Sequence, residues 1–406
     1  MAHNFGKLSR HHFLKSLALF PVGMMLPQTA RAQKPAPPLS DVKITNVKAY
    51  VMKKAAFVKI ETDAGISGWG EGDHEFSPIN GQIVEKIFRP VLLNQDPFAS
   101  EYLWKQAFFE GYEGGSTGFV PGALAGVDNA LWDLKGRLLQ QPVHKLLGGN
   151  GLEKVAVYGS YGRRKKGGFK TPDEMAREGA EFVAQGYQTI KARMQLYDRD
   201  RNPPSGFTYD CVKAIREAIG EKITLYVDFN NGYTAGRAVE LGLKLYEHFN
   251  VAAIEEPVSA FDYPGLRQVV EALPCEVNAG EHEYNKWQFR DLIQQGNPDN
   301  LNLDVIKSGG LSEAKKIAAL GEAFEKPIML HNTRPTLATA ASLQLLGAIT
   351  NQSAVQEFSG MRPGLELQGL FQNQLRFENG FLYIPTTPGL GLEVEEKEME
   401  KQKLNN

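Results

Sequence analysis

The sequence predicts an α/β protein, a parallel (β/α)-barrel behind a smaller α+β domain, and three observations carry that expectation. Between Lys191 and Glu357, short apolar runs each end in a polar residue able to do chemistry, at steps of 23 to 37 residues, the length of one strand plus one helix. The segment before this rhythm alternates apolar and polar residues, as antiparallel strands with one solvated face do. A chain of 406 residues, 42% apolar and 23% charged, can bury a barrel of about 250 residues together with a second domain.

In chain order, residues 1–32 read as an export signal. SRHHFLK at 9–15 resembles the twin-arginine pattern, with His11 in place of the second arginine, and an apolar run at 17–26 leads to the small-x-small site ARA at 30–32. That run is too short to span a bilayer, so periplasmic delivery without a membrane anchor is expected. Residues 33–40, containing KPAPPL, read as a linker. Residues 41–152 read as the α+β domain. VKITNVKAYVM and AFVKIETDAGISGWGEG form a hairpin with a Gly-rich turn, and VEKIFRPVLL and AGVDNALWDLKGRLLQ form helices packed on it. HKLLGG ends the domain, with Gly148 closing a helix. The barrel is expected over 153–369. Residues 370–394 read as strand pieces and turns, and the stretch 370–406 is expected to return to the first domain.

The polar run-ends are Lys191 and Arg193 after YQTI, Asp228 after ITLYV, Glu255 after VAAI, Glu281 after EVNAG, Asp304 after LNL, His331 after PIML and Glu357 after SAVQ. If each tops a strand, all converge on the C-terminal rim, where barrel enzymes assemble their sites. Asp228, Glu255 and Glu281 fall on successive units. Three carboxylates facing one point repel unless a cation lies between them, and hard oxygen donors suit Mg²⁺. His331 lies one unit after Asp304, and a neighbouring carboxylate can hold one ring nitrogen, fix the tautomer and make the other a general base.

Other function classes are excluded. The formal net charge is -2 and no Lys/Arg stretch interleaves with aromatic residues, so a nucleic-acid partner is not expected. EGGSTG at 113–118 lacks the strand-then-helix setting of a phosphate loop. Cys211 and Cys275 form no metal or redox motif and are expected as buried free thiols.

The ordered set K-x-R, VDFNNGY, IEEPV, NAGEHEY, LNLDVIKSGG, LHN and VQEF resembles the mandelate racemase branch of the enolase superfamily, within the mandelate racemase/muconate lactonizing enzyme family. The resemblance covers nearly everything from residue 41 onward. It implies a modified (β/α)₇β barrel with an α+β capping domain, Mg²⁺ on Asp228, Glu255 and Glu281, a His331–Asp304 dyad, and Glu357 as donor to an enolate oxygen. The chemistry implied is abstraction of the proton α to a substrate carboxylate. Where K-x-K relatives carry a second basic lysine, this chain has Arg193, a poor base, which disfavours racemisation. Lys191 is the other candidate on that strand.

The resulting expectation is a one-base reaction, dehydration of a sugar acid to a 2-keto-3-deoxy acid. GEHEY followed by KWQFRDLI looks most like the rhamnonate dehydratase group, which brings His282 to the substrate; Asn230 and Lys307 are the other substrate-binding candidates. Two cap loops, 51–56 with Lys53 and Lys54 and 73–79 with His74, are expected to close over the mouth. Ring opening of an anhydro-sugar acid, racemisation of a 2-hydroxy acid, and sugar-acid binding without catalysis are the alternatives. Assembly into a homo-oligomer is expected.

Overall fold

The computed structural model describes residues 38–404 apart from 76, 165–167, 197–200, 204–205, 333, 361–366 and 368. The stretches expected as an export signal (1–32) and most of the expected linker (33–40) lie outside the described residues. The first domain is built on a three-stranded antiparallel sheet, β1 (Ile44–Met52), β2 (Ala55–Thr62) and β3 (Ser67–Gly72), in that order. The expected Gly-rich turn is therefore two features. Gly65, at φ +73°, makes the turn, and SGWGEG is a strand. Its glycines serve close approach, because the Phe119–Leu139 helix lies directly on β3. A Cβ on Gly70 would sit 2.2 Å from the Gly126 carbonyl oxygen and 2.5 Å from the Ala130 nitrogen. Gly70→Ala should therefore destabilise the protein by about 1–3 kcal/mol or more. A thermal melt tests this; an unchanged Tm would mean that sheet and helix part without cost.

Helical segments at Ser77–Ile83, Ser100–Gly111 and Phe119–Leu139 complete the cap. The middle one was not expected from the sequence. Around Ile44, Val58, Phe88, Leu103, Val127 and Leu131 the cap has a hydrophobic core of its own, separate from that of the barrel. The Val143–Leu146 helix is one turn long, and Gly148 and Gly149 follow it with φ of +126° and +64°.

Eight parallel strands form the barrel: β4 (Lys154–Tyr161), β5 (Thr189–Arg193), β6 (Thr224–Asp228), β7 (Val251–Glu255), β8 (Glu276–Ala279), β9 (Asn300–Leu303), β10 (Ile328–Leu330) and β11 (Val355–Glu357). They pair in sequence order from β4 to β10. The ring closes where β11 pairs with β4 and Gln352 bridges to Ile328. A helix follows each strand from β4 to β10, giving the (β/α)₇β arrangement. The strands read as continuous apolar runs because helices cover one face and the barrel interior the other. Both cysteines are buried and free.

After β11 the chain adds β12 (Phe377–Glu378) and β13 (Phe381–Tyr383), and β13 pairs antiparallel with β4 of the barrel. The same segment meets the cap as expected, Phe371 packing on Phe57 at 6.2 Å between ring centres and Leu390 N–H donating to Asp133 Oδ1 at 2.8 Å. The Glu396–Gln402 helix docks there, with Glu396 accepting from Lys59 Nζ at 2.7 Å and from the Tyr50 hydroxyl at 3.1 Å. Cap and barrel are tied by buried polar bonds. Trp104 Nε1 donates to the Gly309 carbonyl at 2.8 Å, and Asp128 accepts from Ser312 Oγ at 2.6 Å and its backbone N–H at 2.8 Å.

Candidate active site

Strand register builds the site in ranks. Arg193, Asp228 and Glu255 are adjacent across β5, β6 and β7, so their side chains enter the barrel mouth at one level. Glu281 comes two residues after β8. Gly280, at φ +132° between them, turns the chain where a Cβ would press on Phe289 at 3.1 Å and on Asn302 N at 3.2 Å. Ligand atoms of Asp228, Glu255 and Glu281 lie within 4.8 Å of one another, and all three residues are buried.

Neighbouring residues aim these carboxylates. Asn230 donates from Nδ2 to Asp228 Oδ2 at 2.7 Å and from its backbone to Oδ1 at 2.8 Å, while its own Oδ1 accepts from Gln195 N at 2.8 Å. Both ends of the Asn230 amide are thus occupied, Nδ2 by Asp228 and Oδ1 by the Gln195 N–H. Asn302 on β9 donates to Glu255 Oε2 at 2.7 Å. Lys191 pairs closely with Glu255, lies 3.5 Å from Glu357 Oε1 and 4.0 Å from Asp228 Oδ2, and is 1% exposed. Arg193 Nε lies 3.4 Å from Asp228 Oδ2.

On the other side of the mouth, His331 Nδ1 is 2.7 Å from Asp304 Oδ2. Asp304 is held in turn by the N–H groups of Ile306 at 2.7 Å and Lys307 at 3.1 Å. This leaves Nε2 of His331 facing the carboxylates, 3.5 Å from Glu281 Oε2 and 3.9 Å from Glu357 Oε2. Glu357 is fixed by the backbone N–H of Asn332 at 2.9 Å. Lys307 Nζ donates to the Glu281 carbonyl at 2.7 Å, and His282 Nε2 lies 3.5 Å from Glu256 Oε1 and 3.7 Å from Glu281 Oε1.

The electrostatics follow from this crowding. Burial lifts Asp228 to about 6 and Glu255 to about 8; Lys191 opposes the rise, and neighbouring carboxylates reinforce it. Burial would lift Glu281 too, but the charges of His331, Lys307 and His282 outweigh it and hold that carboxyl well below its usual range. Burial disfavours the His331 cation, yet Glu281, Asp304 and Glu357 raise the imidazole to about 9. For Glu357, Lys191 and His331 overcome burial and keep it ionised, at about 2. To donate to an enolate oxygen, Glu357 would first have to take up a proton.

The residues fit a hard divalent cation. Three buried carboxylates converge, and Glu281 Oε2 is a buried oxygen with no hydrogen-bond partner. Such an oxygen costs free energy unless a cation or proton satisfies it.

The cap completes the mouth. Glu71, Asp73, His74 and Arg334 line the cavity that also contains Asp304, Lys307 and His331. Of the cap-loop residues named from sequence, His74 is in this wall, 3.3 Å from Asp73. The side chains of Lys53 and Lys54 are exposed; Lys54 meets the mouth through its carbonyl, which accepts from Arg334. Asp73, Arg334, Asn302 and Asn332 were not expected. Asn302 had a visible signal, since in LNL a buried parallel strand carries a polar residue between two leucines.

Known proteins place this architecture. Residues 174–398 match the enolase C-terminal domain-like family, and residues 29–148 match the mandelate racemase/muconate lactonizing enzyme N-terminal domain. The chain is 30% identical to the arabinonate dehydratase of Saccharolobus solfataricus over 85% of its own length and 89% of that protein. Its fold is similar to the 3,6-anhydro-D-galactonate cycloisomerase of Zobellia galactanivorans, with a TM-score of 0.78, 28% identity, and coverage of 89% of this chain and 100% of that one. It is also similar to a mandelate racemase/muconate lactonizing protein of Paracoccus denitrificans complexed with magnesium, with a TM-score of 0.81, 29% identity, and coverage of 89% and 98%. With both domain models matched and the carboxylate triad and histidine dyad at one barrel mouth, the chain belongs to the mandelate racemase/muconate lactonizing enzyme family of the enolase superfamily.

Proposed function

We propose that the protein is a Mg²⁺-dependent sugar-acid dehydratase that works with a single base. The observation that carries this reading is the asymmetry of the mouth. The His331–Asp304 dyad faces the carboxylate triad from one side, whereas on β5 Lys191 is locked among Glu255, Glu357 and Asp228, and Arg193 is a poor base. A racemase needs a base on each face; a dehydratase does not. The arabinonate dehydratase similarity over most of the chain supports the same reaction class.

Asp228, Glu255 and Glu281 would hold the cation, which when bound supplies Lewis-acid stabilisation of charge developing on the substrate carboxylate. Asp304 accepts from Nδ1–H of His331, so the basic electron pair is on Nε2. A divalent cation on the triad would offset part of the negative charge that Glu281 presents to Nε2, weakening the hold on a proton there. Nε2 then takes the C2 proton. The resulting imidazolium returns that proton to the C3 hydroxyl, the C3–O bond breaks and water leaves. The enol product becomes the 2-keto-3-deoxy acid by taking a solvent proton at C3 and losing its enol proton. Lys307, His282, Asp73 and Arg334 surround the mouth and are placed to bind the remaining hydroxyl groups.

A second reading is favoured by the likeness to the Zobellia cycloisomerase: the same enolate could expel a ring ether oxygen. One screen separates the two. Purified protein with Mg²⁺ is offered aldonic, deoxyaldonic, aldaric and anhydro-sugar acids, and semicarbazide reports 2-keto product. A signal from an open-chain acid is expected; a signal only from an anhydro acid would replace dehydration by ring opening. Periplasmic delivery is part of the proposal and rests on residues 9–32. Among the described residues no helix is long and apolar enough to cross a membrane.

A further inference from the structure

Asn302 is buried in β9 between Leu301 and Leu303, and only half of its amide is used. Its Nδ2 donates to Glu255 Oε2 at 2.7 Å, whereas its Oδ1 is buried with no hydrogen-bond partner among the described residues. A buried carbonyl oxygen without a partner costs about as much as a hydrogen bond to a charged acceptor returns, so the amide adds little net stability. A residue kept for the fold alone would be apolar here, like its two neighbours. What the amide does is hold one carboxylate. Lys191 pairs with Oε1 of Glu255 and Asn302 takes Oε2, so both oxygens are fixed. The two donors differ in charge: Lys191 offsets the negative charge that attracts a cation, while the neutral amide aims an oxygen and leaves that charge in place.

The same stretch of chain also holds the base. Two residues on, about 6.6 Å along an extended backbone, Asp304 Oδ2 lies 2.7 Å from His331 Nδ1. One short segment therefore sets Glu255 through residue 302 and His331 through residue 304. We propose that Asn302 is a positioning residue for the metal, fixing the orientation of the Glu255 carboxylate within the triad and keeping it in register with the His331 base. This rests on the assignment of Asp228, Glu255 and Glu281 as the ligands.

Titration of the full chain with Mg²⁺, read by calorimetry and by thermal shift, tests this without turnover. Asn302→Ala and Asn302→Leu both remove the donor, and leucine refills the space that alanine leaves. Each should bind Mg²⁺ about 10- to 100-fold more weakly than the wild type, the usual loss when the partner of a metal ligand is removed. The metal-free Tm should stay close to that of the wild type, because the unpartnered Oδ1 leaves together with the donor. At saturating Mg²⁺, kcat should remain below that of the wild type. Wild-type Mg²⁺ affinity in both variants would overturn the proposal. So would a collapse of the metal-free Tm in both, which would make Asn302 a residue of the fold, and a kcat fully restored by metal would remove the register with His331. A wild type that binds no Mg²⁺ would instead overturn the ligand assignment itself.

Discussion

His331→Asn is expected to abolish turnover, lowering kcat by roughly 10²- to 10⁴-fold, the range supplied by a positioned general acid–base. The imidazole is charged with two proton transfers in succession, removal from C2 and delivery to the departing C3 hydroxyl, so the loss belongs at the upper end of that range. Asparagine keeps a polar group of similar size next to Asp304 and so leaves the dyad's surroundings packed. Stabilisation by Mg²⁺ should survive, because His331 is not among the three converging carboxylates. Steady-state kinetics on the acid identified by the screen, together with a thermal shift by Mg²⁺, check both halves. A variant with undiminished kcat would remove His331 from the mechanism.

Glu281→Gln should separate metal binding from folding. A Lewis-acid ion contributes several kcal/mol to such a reaction, and ~4 kcal/mol corresponds to about 10³-fold in rate. Glu281 Oε2 makes no hydrogen bond, so the substitution removes a charge without breaking one there. Without metal, the variant relieves repulsion among three buried carboxylates, although His331 loses a favourable partner 3.5 Å away. Its metal-free Tm should therefore stay close to that of the wild type. The rise in Tm on adding Mg²⁺, which reflects binding to the folded state, should be lost. A variant stabilised by Mg²⁺ as strongly as the wild type would take Glu281 out of the ligand set.

The barrel was legible because its strands are covered on both faces, so apolar runs broken by one polar residue mark each strand's C-terminal end. Seven of the eight strands announce themselves this way, from Asp228 on β6 back to Lys191 on β5 and forward to Glu357 on β11. β4 does not: it ends in Tyr161 and Gly162 with no group that suggests chemistry, although it lies beside both β5 and β11. In the cap, sequence pattern misled where tertiary contact decided. SGWGEG looks like a turn because glycine is permissive, whereas here it is a strand pressed against a helix. The Ser100–Gly111 helix was hidden because its apolar residues do not fall on one stripe: Trp104 and Phe108 point inward while Tyr102 and Phe109 point out.

The site was legible to the same depth. Residues at strand ends can be placed from spacing, so the triad and dyad candidates were nameable. Their supports come from elsewhere in the fold. Asn332 N reaches Glu357 from the neighbouring strand's end, and Glu71 and Asp73 come from a separate domain to meet Arg334. Nothing in local pattern ties residues 73 and 334 together. The same holds for the roles of Lys191 and Asn230. Their neighbours, Glu255 and Gln195 among them, determine whether a side chain faces substrate or holds a carboxylate in place.

The most direct test of the central claim is the fate of hydrogen when the active acid from the screen is turned over in ²H₂O and followed by NMR. One-base dehydration predicts a 2-keto-3-deoxy product carrying deuterium at C3, while recovered substrate keeps its C2 configuration. Recovered acid inverted at C2 and deuterated there, with no keto product, would mean that bases act on both faces and would contradict the account.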